Sequence, residues 1–208
     1  MTADDFDPNE HDVFLLRQKW TLAINRYYFS LPDAQGKEGR RFAFVEQKRF
    51  AFKEDIRFFT DETKRVQILA IKARQRFDPA ARYDITGANG EKVGEIQKAF
   101  TKSLLRSTYL LFDAHGTQVC EARERSLGVA LFRRLVGFVP YIGGYADWLP
   151  IPYHFEFLRG DRVLVHHTRQ PWKLTDHYTI DCRPDTEHLL DRRLVLAAAV
   201  GMDALQAR

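Results

Sequence analysis

The chain has 208 residues, 45% of them hydrophobic and 29% charged, a balance that excludes general disorder and suits one domain. A formal net charge of +4 is too small for a protein that coats nucleic acid by charge alone. Aromatic residues make up 13%, with 16 Phe and 8 Tyr, which favours strands around a thick core.

Residues 1–12 carry Asp4, Asp5, Asp7, Glu10 and Asp12 and no Lys or Arg. They read as a solvated, flexible tail whose removal changes little. The opening has no basic start and no apolar stretch, so a secretory leader is not expected. Cys120 and Cys182 are the only cysteines, without a CxxC partner, and no Asn-x-Ser/Thr acceptor occurs. Reduced thiols in the cytoplasm, with peripheral membrane attachment as an option, are the expectation.

Residues 13–208 show no linker or composition break and are expected to form one domain. Strands are predicted over 27–31, 41–45, 49–53, 66–73 and 178–182. Between them a spacing repeats: Tyr83, Gly90 and Val93; Tyr109, Gly116 and Val119; Tyr153, Gly160 and Val163. Ile56, Thr63 and Val66 form a worn copy without the glycine. Each unit is an aromatic or aliphatic run, a turn, and a second run that resumes at the Val. Tight hairpin turns demand positive φ, which glycine adopts without steric cost. About ten or more short strands in succession must close into a barrel or fold into a sandwich to hide their edges.

Residues 126–152 break the strand pattern. Leu127, Ala130, Leu131, Leu135 and Phe138 have helical spacing, interrupted by Arg133 and Arg134, and a stretch rich in Pro, Gly and aromatics follows. This segment is expected to be an insertion between strands that plugs one barrel end or contacts a membrane interface. The C-terminus is helical in character: Pro184-Asp185-Thr186 is a start signal, with Asp185 or Thr186 as the cap, and a helix is predicted over 186–206. Residues 194–202 are apolar around the whole circumference, and nine residues is far short of the roughly 20 that span a bilayer. Such a helix must be surrounded by protein, which predicts a mainly β (α+β) closed antiparallel barrel threaded by its own C-terminal helix.

The run from Leu190 to Gln206 resembles the terminal buried helix of the LURP-one-related proteins, and the units beginning at Tyr83 and Tyr109 are similar to strands of that family. The resemblance places the chain in the tubby C-terminal-like group, with the phospholipid scramblases, and implies a tubby-like barrel of about twelve strands around a central helix. The Pro-rich arm, Cys-rich stretch and acidic calcium segment of scramblases have no counterpart here, and the basic phosphoinositide site of tubby proteins does not align securely.

No Gly-x-Ser-x-Gly, P-loop, His-Glu-x-x-His or Gly-x-Gly-x-x-Gly motif is present, so neither an enzyme nor a cofactor is expected. Between Lys37 and Arg76 there are 12 Lys/Arg against 6 Asp/Glu, which concentrates positive charge on one part of the barrel. Arg49 and Lys53 share a strand face, and Arg57 opposes Ile56 and Phe58. With Arg133 and Arg134 they form the candidate surface for anionic phospholipid headgroups or an acidic partner; an ordinary solvated face is the competing reading. His154, Glu156 and His177 are the alternative, a metal-dependent enzyme site, since His154 and Glu156 share a face. A purely structural protein-interaction domain is a third possibility. No nucleic acid partner is expected. His166 and His167 are adjacent on one strand and face opposite sides.

Overall fold

Glycine-terminated turns between short apolar runs fold as hairpins, and in the computed structural model Gly90, Gly116 and Gly160 take φ of 80°, 84° and 62°. These are the glycines of the sequence repeat. In the worn unit the left-handed residue is Lys64, at φ 57°, so an ordinary side chain bears a conformation that glycine would adopt freely.

The structure describes residues 6–20, 24–48, 55–74, 82–99, 107–125, 154–170 and 176–206. Twelve described strands run in chain order: β1 (Val13–Trp20), β2 (Ile24–Pro32), β3 (Glu38–Lys48), β4 (Asp55–Phe59), β5 (Gln67–Ala73), β6 (Arg82–Gly87), β7 (Lys92–Lys98), β8 (Thr108–Asp113), β9 (Gln118–Glu124), β10 (His154–Arg159), β11 (Arg162–Arg169) and β12 (Asp176–Asp181). Each pairs antiparallel with the next, and β1 pairs with β12 to close the barrel. Closure gives every described strand a partner on both sides. Two parts of the sequence reading, the strand over 49–53 and the insertion over 126–152, lie outside the described residues, as does Tyr153.

Residue parity decides which side chains point inward. In β4, Ile56 and Phe58 are buried while Arg57 faces out, and in β10 Phe155 and Phe157 are buried. The helix α1 (Arg192–Gln206) runs through the barrel. Leu194, Val195, Leu196, Ala197, Ala198, Ala199, Val200 and Met202 are all at most 4% exposed. Its small side chains let twelve strands approach on every side. Gly94 of β7 is part of this fit: a Cβ there would lie 2.4 Å from the Phe112 carbonyl oxygen and 3.2 Å from a Leu194 methyl.

The helix begins later than the sequence suggests. Asp191, not Asp185 or Thr186, is the cap: its carboxylate accepts the Arg193 N–H at 2.8 Å and its carbonyl accepts from Val195 at 3.2 Å. Asp185 instead accepts the N–H groups of Leu189 and Leu190 at 3.0 and 3.1 Å, shaping the turn that leads into the barrel. The residues before β1 also differ from a free tail. A 3₁₀ turn at Pro8–Glu10 packs by the helix start, where Asn9 Oδ1 accepts the Arg192 N–H at 2.8 Å. Phe6 stacks on Phe42 with ring centroids 4.3 Å apart.

The barrel has two unlike ends. The helix enters at the proximal end, with the short turns after β2, β4, β6, β8 and β10. At the distal end, where the helix terminates, polar groups point inward. Gln18 Nε2 donates to the Tyr27 hydroxyl at 3.4 Å, and the Tyr109 hydroxyl donates to the Met202 carbonyl at 3.3 Å. His167 also points inward, between the rings of Phe155 and Tyr178 (centroids 6.4 and 5.0 Å away). Neither of its ring nitrogens has a hydrogen-bonding partner among the described residues.

Burial, helped by the charge of nearby His154, pushes the His167 imidazole down to about 4 from an ordinary 6.5. The imidazole is neutral in both folded and unfolded chains above pH 6.5. Below that, only the unfolded chain takes up the proton, so stability falls progressively between pH 6.5 and pH 4 and then levels, by about 3 kcal/mol in total. The expected result is that His167→Phe removes this part of the acid lability and is neutral or stabilising at pH 7. Urea unfolding of both proteins at pH 7, 5.5 and 4 checks it, and parallel pH profiles would refute it.

Candidate anion-binding face

The described residues from β1 through β7, turns included, carry 15 of the 23 described Lys and Arg, and the structure shows how this charge is held. Arg57 is half exposed and its guanidinium is gripped by Asp55 of its own strand, at 2.6 Å. On β2 the Tyr28 ring is flanked by two guanidiniums, Arg17 at 5.0 Å and Arg41 at 5.1 Å from its centroid. Arg26 and Lys64 converge on Glu46 at 3.1 and 2.5 Å. Hydrogen bonds, first from Lys64 and then from Arg26, outweigh burial and hold that carboxyl below its usual range.

The densest cluster centres on Glu95 of β7, which is only 2% exposed although it faces outward. Lys92, Arg74 and Arg82 reach it at 2.6, 2.7 and 3.3 Å, and Arg74 also binds Asp84 at 2.6 Å. Burial works to raise the Glu95 carboxyl, but the hydrogen bonds from Lys92 and Arg74 win and lower it. One buried carboxylate therefore organises three long cationic side chains that remain 38–43% exposed. Sequence reading found the excess of positive charge but missed Glu95, because nothing local marks an outward strand residue as covered by its neighbours.

Of the candidate binding residues, Arg57 is where parity put it. Arg49, Lys53, Arg133 and Arg134 lie outside the described residues. β3 ends at Lys48, β4 begins at Asp55, β9 ends at Glu124 and β10 begins at His154, all four at the distal end of the barrel.

The alternative metal set does not come together. His154 and Glu156 share the outer face of β10, whereas His177 is on β12, with β11 between them. Glu156 is level with His166 and Asp181, and His154 with Thr168 and Thr179. His177 is therefore about two residues, roughly 6.6 Å, further along and two strand spacings, roughly 9.6 Å, across. Glu156 instead lies 3.4 Å from Arg125, and His177 Nε2 lies 3.3 Å from Glu38 on the hairpin that crosses toward β1. Burial and then the Arg125 charge lower the His154 imidazole. Among the described residues no three His, Cys, Asp or Glu side chains are grouped to hold a metal ion. Both cysteines are buried and their thiols are raised by desolvation, Cys182 to about 12, so neither is a ready nucleophile.

Among the described residues no helix is long and apolar enough to cross a membrane. No curated protein sequence matches the chain. The family profile described as LURP-one-related matches residues 42–203, from β3 through the central helix. A match over that length, on a closed barrel wrapped around its own C-terminal helix, means that the chain belongs to the LURP-one-related family.

Proposed function

We propose that this protein is a non-enzymatic binding module of the tubby-like type that docks on anionic phospholipid headgroups through the basic outer face and distal end of its barrel. The observation that carries the reading is topological. The connections holding Arg49 and Lys53, and Arg133 and Arg134, both leave the barrel at the distal end, the end at which β4 brings in Arg57. The described flanks of these two connections thus lie at one end of the barrel, the end at which Arg74 and Arg82 of the Glu95 cluster also lie. A multiply charged surface attracts an anionic bilayer by about 1 kcal/mol per Lys or Arg near it, and the attraction is screened by salt.

Flotation with vesicles tests the proposal. The protein is expected to float with phosphatidylserine-containing vesicles at low salt, to dissociate as salt rises, and to ignore purely phosphatidylcholine vesicles. Arg57→Glu combined with Arg133→Glu and Arg134→Glu is expected to weaken binding by at least 100-fold, at about 1 kcal/mol or more per reversed charge. Absence of flotation at low salt sinks the lipid reading. Binding of polyglutamate without vesicle binding would replace it with an acidic protein partner.

A further inference from the structure

At the proximal end a cavity of about 200 Å³, apolar at its depth, opens into the barrel. Its walls are Phe42 and Ala43 of β3, Phe58 of β4 and Leu69 of β5, and its floor is Leu196 of the central helix. These five are 1–6% exposed, so the cavity reaches the core itself. Its mouth lies between Val66 and Ala88 of the β6–β7 turn, with the Glu91–Arg193 ion pair (3.0 Å) on the rim. Val66, at 41% exposure, is the one large hydrophobic residue exposed among the described residues. Phe6, stacked on Phe42, and Pro8 form part of the roof.

Packed interiors leave few voids larger than a water molecule, because each gap forgoes contacts on one side. A cavity of roughly 150 Å³ lined by Leu, Ile and Phe stays dry and takes up benzene. The cavity here is larger, open at its mouth, apolar at its depth with Gln67, Glu91 and Arg193 as its polar lining residues, and extends from a surface valine down to the helix. We infer that it is a binding site for a single aliphatic chain of about six to eight carbons whose polar head is not anionic. The depth and narrow apolar walls suit a chain end. The rim decides the head: the Arg193 guanidinium is already held by Asp191 at 2.7 Å and by Glu91, two carboxylates to one cation. An anionic head would have to compete with both, whereas a cationic or hydroxyl head meets Glu91 favourably. This inference stands on the cavity and is independent of the membrane reading.

Titration calorimetry with soluble monomers below their micelle concentration tests it. With n-alkylammonium ions from butyl to decyl, affinity is expected to rise about fourfold per methylene and to level near eight carbons. Octanoate is expected to bind at least tenfold more weakly than octylammonium. Ala88→Phe, at an exposed mouth position, is expected to abolish binding without moving the melting temperature. Affinity that ignores chain length, or that survives Ala88→Phe, overturns the proposal. So does binding that appears only after residues 1–5 are removed, which would make this chain's own N-terminus the occupant. Octanoate binding more tightly than octylammonium overturns the assignment of the head.

Discussion

Replacing Arg192 by methionine costs the barrel about 3–5 kcal/mol, because the substitution strands a buried carboxylate. Arg192 and Asp185 are both 0% exposed and lie 2.6 Å apart, and Asp12 adds a second carboxylate at 3.0 Å. Arg192 stands in the first turn of the helix, where the helix dipole disfavours a cation, so the two acids offset both burial and dipole. Burial works to raise the Asp185 carboxyl, yet the Leu189 N–H, the Arg192 guanidinium and the Leu190 N–H outweigh it and hold it below the usual range. Without the guanidinium that balance tips, and the desolvation cost is felt in full. Arg192→Met combined with Asp185→Asn removes the charge and keeps an acceptor for one of the two N–H groups. That double variant is expected to recover about half of the loss. Urea unfolding at pH 7 measures both, and a single-variant loss below about 1 kcal/mol would show that the pair does not hold the helix entrance.

Ala198→Asp is expected to give insoluble protein. Ala198 is 0% exposed at the middle of the helix, with strands on every side. A carboxylate there has neither water nor a cation, and such burial costs several kcal/mol even after the group takes up a proton. Typical domains are stable by only 5–15 kcal/mol, so little folded protein survives. Ala198→Gly provides a graded control: it costs about 1 kcal/mol through helix propensity and is expected to remain soluble with a lowered melt. Soluble Ala198→Asp with an unchanged melt would mean that the helix does not fill the barrel.

Several features were legible in single residues. The glycines at 90, 116 and 160 mark the hairpin turns, and each has the positive φ that such turns require. The alternation of Ile56 and Phe58 with Arg57 correctly assigns inside and outside, and so does the opposition of His166 to His167. Others were hidden. Asp185 reads as a helix cap, yet it is the counter-ion of an arginine seven residues on. The acidic opening reads as dispensable, but Asn9 and Asp12 bind Arg192 across 183 and 180 residues of chain. His154, Glu156 and His177 look like a cluster because they are close in sequence; strand pairing sets His177 two strands away, while it brings His166 opposite Glu156.

Turn chemistry, residue parity and the all-round apolarity of residues 194–202 follow from the chain itself, because each depends on φ preferences, pleating or burial of a residue's near neighbours. Those properties alone required a strand-rich shell around a terminal helix. Which strand pairs with which, the burial of Glu95 beneath three cations, the Arg192 entrance and the cavity above Leu196 were decided only when β1 met β12. They depend on register and closure, and these are set by contacts between residues far apart in sequence, where no local preference reaches.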